Sequence, residues 1–529
     1  MCFIKKHSKI WREVLLSMEN NIAQKRNTQT LINLVSSIMT LVFSAAISFF
    51  LSPFIVRTLG EEANGFTQLA NNFITYASLL TVALNSMSGR FITINYYKND
   101  ISACKRYYSS IVIGNLFIMT VLMLPAILCV YKLENIINIS DGNVYQVKVL
   151  FSFVFANFFV QQITSFLNIS TYVKNKLYIQ NLMGMINSLL RAIMLILAFS
   201  LLSPKMYYVS AIGFILSIVS AIVALVIKKK IFSDVPFEFK SFDIKSIYHL
   251  VSSGIWNTIN QCGHVLMTGI DLLLANLFIG PGPMGVLSVA KTIPTLVTQL
   301  ATTVNNSFSP NQTISYSTDN NEEFLNSLEY AKKISCVVIS IPIMVFCVFC
   351  FDFYKLWQPT LNAKTLAVLS ILTLMVYIPF CATQTLQNVY TVANKLKVNS
   401  ITFLITGFTS AIATFFAVKY TSFGIFAVAG ISSFFSMLRN LLVTIPYVSK
   451  LVGKKWYYFY KDVFLSFISC ALAGFVSNLI KILLKPNSWV CLIIACCISV
   501  VFSLTINAFV LLNKDQRIKI IKKILRKER

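Results

Sequence analysis

Acidic residues and histidine are scarce in this chain of 529 residues, which has 19 Asp and Glu against 45 Lys and Arg, and three histidines. Clusters of carboxylates, or of histidine with cysteine, are therefore hard to assemble, and metal centres need such clusters. Charged residues make up 12% of the chain, hydrophobic residues make up 56%, and the mean hydropathy is +0.71. A soluble globular protein of this length would need a far more charged surface. The composition excludes that class and indicates a membrane protein.

The net charge of +26 does not indicate a nucleic-acid-binding protein, because the basic residues stand in short clusters between long apolar runs. Lys228, Lys229 and Lys230 form one such cluster, and residues 514–529 hold another. Cytoplasmic segments of membrane proteins carry the excess of Lys and Arg. Segments rich and poor in these residues alternate along the chain, which predicts that both termini lie in the cytoplasm.

The twelve cysteines lie almost entirely inside apolar stretches with no histidine nearby. This includes Cys347 and Cys350, whose spacing is that of a metal or redox motif. Small apolar helix residues are the better interpretation of such cysteines. We therefore predict no metal site and no cofactor.

The apolar runs predict an all-α, polytopic fold with about fourteen membrane-spanning helices, since each span needs about 20 mostly apolar residues. Asp271 is the only carboxylate in the interior of a predicted span, and Arg439 lies close enough to the inner face to be an ordinary anchor. The predicted spans are 30–56, 66–92, 109–131, 149–173, 177–202, 206–227, 251–279, 284–309, 334–351, 366–392, 398–418, 422–447, 462–482 and 488–512.

Two parts of the sequence align at an offset of about 220 residues, with Gly60 and Gly65 matching Gly280 and Gly285. The offset covers six helices, so both copies have the same orientation and are related by an axis along the membrane normal. This predicts two six-helix lobes in pseudo-twofold repeat plus two C-terminal helices. The predicted parts are a cytoplasmic basic tail (1–27), an N-lobe (28–230), a cytoplasmic linker (231–247), a C-lobe (248–448), the C-terminal pair (449–512) and a second basic tail (513–529).

The end of the first span and its turn, PFIVRTLG from Pro53 followed by Gly65 and Phe66, resembles the opening of the flippases that export lipid-linked polysaccharide repeat units. These O-antigen and capsule flippases belong to the multidrug/oligosaccharidyl-lipid/polysaccharide exporter superfamily. The resemblance continues in order through NLFIGPGPMGVLSVAKTIP from Asn276, SFSP at 307–310 and VANKLKVNS from Val392. The turn PGP after Gly280 departs from the polar loop expected there.

The resemblance implies a transporter that carries an undecaprenyl-diphosphate-linked oligosaccharide from the inner to the outer leaflet of a bacterial cytoplasmic membrane by alternating access. The partners that it implies are this anionic lipid-linked oligosaccharide, membrane lipids and the polysaccharide polymerase machinery. Two alternatives stay open. One is a multidrug or metabolite antiporter of the same superfamily, and the other is a membrane glycosyltransferase or polymerase, for which Glu61 and Glu62 mimic a catalytic acidic pair.

Four cations lie inside predicted spans, and apart from the predicted anchor Arg439 they are Arg90, Arg191 and Lys291. A charge at bilayer depth costs about 3 kcal/mol on insertion scales, so it usually faces a cavity or a partner. We predict that these residues line the central cavity and hold the diphosphate, because guanidinium groups bind phosphate bidentately and lysine acts as a point charge. For Arg90, snorkelling to the inner interface is the alternative.

Asp271 and Lys291 lie at similar depths on either side of the turn at Gly280, so an ion pair between them is expected. Such a pair would be structural, a gate that breaks when phosphate competes for Lys291, or a site of H⁺ or Na⁺ coupling. Uncharged polar residues such as Asn72 and Gln161 also recur inside the spans. They would either join helices by hydrogen bonds or line a wet cavity that accepts sugar hydroxyls.

Overall fold

A computed structural model describes residues 29, 32–33, 35–317, 321–393, 395–511 and 517. Within this part of the chain the backbone forms helices and their connections, with no strand. The predicted tails 1–27 and 513–529 lie outside the described residues, apart from Arg517. The all-α, polytopic class predicted from the sequence is confirmed.

The first part of the chain contributes eight helices, each ended by a turn or a short loop. They are α1 (Val35–Leu59), α2 (Glu61–Asn85), α3 (Ser88–Tyr97), α4 (Ile101–Tyr131), α5 (Leu133–Ile136), α6 (Val144–Val173), α7 (Leu177–Leu201) and α8 (Tyr208–Ile231). The second part contributes twelve. They are α9 (Ile244–His264), α10 (Asp271–Phe278), α11 (Pro281–Ala290), α12 (Thr292–Ser317), α13 (Asn321–Trp357), α14 (Ala363–Leu374), α15 (Gln387–Val392), α16 (Leu396–Tyr420), α17 (Ile425–Arg439), α18 (Ile445–Leu451), α19 (Tyr460–Leu484) and α20 (Trp489–Leu511).

Eleven helices among the described residues are long and apolar enough to cross a membrane. The three predicted spans that have no counterpart among these eleven are interrupted. Span 66–92 breaks between α2 and α3, span 251–279 passes through a π-helical turn at Val265–Gly269, and span 366–392 loses its α-helix after Leu374. An apolar run predicts that the chain crosses the membrane. A break in the helix depends on which groups bond to the backbone N–H and C=O groups that the break frees. The count of fourteen therefore stays a prediction.

The contacts divide the chain into two compact units. The first comprises residues 1–52, 80–131 and 145–255, and the second comprises 53–79, 132–144 and 256–529. The predicted linker packs onto the first unit: Phe232 and Val235 are fully buried in its core, and Lys105 forms a 2.8 Å ion pair with Glu238. The segment after α8 is thus a packed part of that unit. The predicted lobe boundaries stay a prediction.

In the second unit, α13 and α19 are held together at both ends by ion pairs. Lys332 lies 2.8 Å from Asp462, and Lys481 lies 2.8 Å from Asp352. Between these pairs, the hydroxyls of Ser340 and Ser469 are 2.7 Å apart. The partners are 130 or 129 residues apart in sequence. Because this separation hardly changes along the contact, the two helices run in the same direction.

Candidate functional site

A cavity of about 520 Å³ lies inside the first unit, where the break between α2 and α3 meets α6 and the start of α7. This volume is within the roughly 300–1,000 Å³ of small-molecule sites. Amides and hydroxyls dominate its lining. The lining residues are Asn85, Ser86, Ser88, Gly89, Arg90, Gln161, Thr164, Ser165, Asn168, Ile169, Tyr172, Leu177 and Gln180.

The helix break is fixed by side chains on both sides of it. Asn85 and Asn115 exchange amide hydrogen bonds of 3.0 and 2.8 Å, which join the end of α2 to α4. The Ser88 hydroxyl donates to the Asn85 carbonyl at 2.7 Å. Gly89 then lies against the ring of Tyr172, since a Cβ at this position would be 2.8 Å from the ring. These contacts hold α3 against α6 and give the cavity its shape.

Arg90 lines this cavity from α3, and its side chain is exposed. Within the described residues it has neither an ion pair nor a hydrogen bond to its guanidinium group. Arg191 lies on α7, about 16 Å beyond Gln180 along the helix axis at about 1.5 Å per residue, and it does not line the cavity. Its Nε is buried without a hydrogen-bond partner, and no described carboxylate pairs with it. Binding of a diphosphate by either arginine stays a prediction.

The second unit contains the expected ion pair between Lys291 and Asp271, which is confirmed. Asp271 begins α10 and is buried, while Lys291 stands at the junction between α11 and α12. The Lys291 ammonium also donates to the Thr268 carbonyl at 3.4 Å. The structure therefore gives this cation a partner of its own. The role of the pair as a structural contact, a gate or a coupling site stays a prediction.

The π-helical turn before Asp271 leaves the Gly269 carbonyl outside the helical ladder. The Asn72 amide donates to this oxygen at 2.9 Å, and the Tyr76 hydroxyl donates to it at 2.6 Å. Asn72 thus joins two helices, whereas Gln161 lines the cavity of the first unit. Turns of this kind are frequent at functional sites. The role of Tyr76 could not be predicted from the sequence, because the carbonyl that it contacts is 193 residues away in the chain.

Arg439 was predicted to be an anchor at the inner face, and this is wrong. It is 7% exposed, its guanidinium lies 4.1 Å from the ring centroid of Phe403, and it donates to Asn399 at 3.2 Å. The same Phe403 ring stacks on His264, at 6.2 Å between centroids and 2° between planes. Stacking on an aromatic face gives a buried guanidinium a favourable site without a carboxylate.

Two glycines that align in the internal repeat meet each other in the second unit. A Cβ on Gly65 would lie 2.9 Å from the Gly285 Cα, and a Cβ on Gly285 would lie 2.6 Å from the Glu61 carbonyl. Beside them, the Asn64 amide donates to the Ser288 hydroxyl at 2.8 Å. Contact between equivalent residues is what a local two-fold axis produces. The helices that begin at Glu61 and Pro281 therefore cross at backbone distance.

The sequence missed a buried charge cluster around Lys332. Its side chain is 1% exposed and lies 2.8 Å from Asp462 and 2.9 Å from Glu329. The expectation that Asp271 is the only carboxylate in the interior of a span fails here, since Asp462 lies inside α19 and is buried. A usable signal was the acidic residue at the very start of the apolar run of α19.

Long apolar helices around a polar cavity are typical of a polytopic membrane transporter. The chain belongs to the family described as polysaccharide biosynthesis protein, whose model matches residues 31–310. The family resemblance seen in the sequence is thereby confirmed. Over 493 residues the chain is 25% identical to the uncharacterized membrane protein EpsK of Bacillus subtilis (strain 168), covering 93% of this chain and 97% of that protein.

Solved structures show the same fold at low sequence identity. The lipid II flippase MurJ in an inward closed conformation matches with a TM-score of 0.66 at 16% identity, over 90% of this chain and all of MurJ (100%). An inward-facing multidrug resistance MATE family transporter of the MOP superfamily matches with a TM-score of 0.65 at 14% identity, over 80% of this chain and 98% of that one. The fold is common to both kinds of transporter and does not choose between their cargoes.

Proposed function

We propose that this protein is a flippase that moves undecaprenyl-diphosphate-linked oligosaccharide repeat units from the inner to the outer leaflet of a bacterial cytoplasmic membrane, with both of its termini in the cytoplasm. The observation that carries the proposal is the state of the cations in the first unit. Arg90 and Arg191 have no carboxylate partner in the described part of the chain. A cation at this depth is costly, and an anionic cargo would compensate it.

Membership of a polysaccharide biosynthesis family supports a saccharide as part of the cargo. Arg90 would bind the diphosphate bidentately at the cavity, and Arg191, which lies outside the cavity lining, would bind it at another stage of its passage. Lys291 in the second unit would bind phosphate at a separate stage of transport, when the phosphate competes with Asp271 for its ammonium. In that scheme the ion pair of the second unit is a gate, and coupling to H⁺ or Na⁺ would act through the same carboxylate.

Export of cationic drugs is the principal rival, and the charges disfavour it. A cationic cargo would need a carboxylate in its binding site, whereas the residues that line the cavity of the first unit include one arginine and no acidic residue. An enzyme acting on the same lipid would need a catalytic acid or base. Glu62 accepts a hydrogen bond from Ser140 at 2.8 Å, which is a structural contact between two turns.

The proposal is tested by deleting the gene and analysing the lipids. The deletion strain should accumulate complete lipid-linked oligosaccharide on the inner leaflet, and the unaltered gene should clear it. A chain with Arg191→Ala should reach the membrane and fail to clear it. The exposed Arg106 lies outside the cavity lining, so Arg106→Ala is the matched arginine control and should behave as wild type. Accumulation of a shortened glycan would instead indicate an enzyme, and normal export by the Arg191 variant would remove the role of that residue.

A further inference from the structure

The polar groups that line the cavity of the first unit fall into two sets. Some are used up in joining helices, as in the reciprocal pair of Asn85 and Asn115. Others make no side-chain hydrogen bond anywhere in the described residues, although each faces the same cavity. These are the hydroxyls of Ser86 and Ser165 and the amide of Asn168. Ser86 and Ser165 are exposed and Asn168 is half-buried, so these three polar groups are accessible to a ligand in the cavity.

Two glutamines of the lining add hydrogen-bond acceptors to these unpaired groups. The Gln161 amide nitrogen donates to Asn157 at 3.1 Å, and the Gln180 amide nitrogen donates to the Asn168 carbonyl at 3.0 Å and also to Thr171. Both nitrogens are therefore held by the protein. Their side-chain carbonyl oxygens stay free to accept hydrogen bonds at the cavity. Fixed nitrogens also orient these oxygens before any ligand arrives.

The cavity thus offers hydroxyls, an amide and two oriented acceptors, which are the partners that sugar hydroxyls require. Tyr172 adds an aromatic face at the same wall and is half exposed. Arg90 is the one cation of the lining, so a negative group is favoured next to the hydroxyl-rich part. A hydrophobic or cationic molecule would leave these polar groups unsatisfied, which is costly in a membrane.

We propose that this cavity is a saccharide subsite, which binds the sugar next to the diphosphate while Arg90 contacts the phosphate beside it. The inference rests on the proposed function and names the part of the cargo that the first unit recognises. Asn168 and Ser165 determine affinity for the sugar. Arg90 determines affinity for the phosphate and acts on lipids with and without a sugar.

The test measures binding by the full-length protein in lipid nanodiscs. The probes are undecaprenyl diphosphate, the same lipid bearing one hexose, and the same lipid bearing one N-acetylhexosamine. Wild type should bind at least one of the glycosylated probes roughly tenfold more tightly than the bare lipid. Loss of one hydrogen-bonding group costs roughly fivefold in affinity. Asn168→Ala should therefore weaken the glycosylated probe by roughly that factor and leave the bare lipid unchanged, and the double variant with Ser165→Ala should weaken it further.

The matched control is Asn181→Ala. Asn181 follows Gln180 in α7 but points away from the cavity, since its amide donates to Ser36 and Ser37 at 2.8 Å. Asn181→Ala should lower the melting temperature without changing the preference for the glycosylated probe. Equal loss of that preference in both asparagine variants would overturn the subsite.

The two proposals fail differently in this experiment. Binding of all three probes with equal affinity would overturn the saccharide subsite and leave the flippase proposal standing. Binding of none of them by a folded protein would overturn the flippase proposal, and the subsite with it. Weaker binding of the bare lipid by Asn168→Ala would also count against the subsite, because it would place Asn168 at the phosphate.

Discussion

Lys332 in the second unit and Arg191 in the first unit are both cations in apolar surroundings, but their environments differ. Lys332 has carboxylates at 2.8 and 2.9 Å, and its ammonium also lies 4.3 Å from the ring centroid of Phe459. The Nε of Arg191 is buried and has no hydrogen-bond partner among the described residues. A charge with a permanent partner contributes to the fold, whereas a charge without one is available to a ligand. Lys332 is therefore part of the structure of the second unit, and Arg191 is available to the anionic cargo that we propose.

The largest expected effect comes from removing a charge that has partners. Lys332→Met would leave Asp462 buried and unpaired, so we expect a loss of about 3–5 kcal/mol in the free energy of unfolding. Melting temperature in detergent is the measurement. The double variant Lys332→Met/Asp462→Leu should recover most of the loss, because it removes both charges. A double variant as unstable as the single one would show that the charges are not the cause.

Removing the unpaired charge of Arg191 should stabilise the protein, in contrast to the removal of Lys332. Arg191→Leu abolishes the cost of an unpaired guanidinium at membrane depth, which is about 3 kcal/mol on insertion scales. We expect a higher melting temperature for this variant, together with loss of export. Destabilisation as large as that of Lys332→Met would mean that Arg191 has a structural partner. The contrast between a paired cation in the second unit and an unpaired one in the first would then be wrong.

The close contact between Gly65 and Gly285 tests the packing of the second unit at a place that has no charge. A methyl group at Gly285 would lie 2.6 Å from the backbone of Glu61, so Gly285→Ala should destabilise the second unit by about 1–3 kcal/mol through overpacking. Gly282 lies in the same helix with no atom within 4 Å of an added Cβ. Gly282→Ala is thus the matched control, and its melting temperature should stay close to that of wild type. Equal effects of the two substitutions would contradict the close crossing.

The smallest effect is expected at the surface of the first unit. A hydrogen bond from the Ser246 hydroxyl, joined by the backbone N–H groups of Lys245 and Ser246, lowers the pKa of Asp243 below its ordinary value of 3.8. This contribution to stability is present above pH 3.8 and is lost as the pH falls through the lowered pKa. Asp243→Asn should lower the melting temperature slightly at pH 7. Below the lowered pKa of Asp243, where the carboxylate is protonated, the substitution should make no difference. A pH-independent difference would contradict the assignment.

Much of the fold could be predicted from the sequence, because hydrocarbon demands long apolar runs and each run reports a crossing. The breaks could not, because they depend on distant partners. The π-helical turn at Val265–Gly269 exposes a carbonyl that Asn72 and Tyr76 satisfy. Those residues lie 197 and 193 positions away in the chain, so no local sequence pattern predicts the contact.

Among the site residues, the pair of Asp271 and Lys291 could be predicted because both lie at a countable depth from one turn. The cluster around Lys332 could not, because Asp462 is 130 residues away and belongs to helices outside the internal repeat. Arg439 was misplaced for a related reason: its depth suggested an anchor, while its actual partner is the ring of Phe403. The depth of a residue in the membrane can be predicted from its position in an apolar run, but its neighbour across a helix interface cannot.

The ion pairs between α13 and α19 constrain how this protein could evolve. Loss of the chain from Tyr460 onward would remove Asp462 and leave Glu329 as the remaining carboxylate beside the buried ammonium of Lys332. Removing one partner of a buried ion pair is strongly destabilising. A lineage that loses α19 and α20 is therefore expected to replace Lys332 with an apolar residue first, so that one buried charge sets the order of the two genetic events.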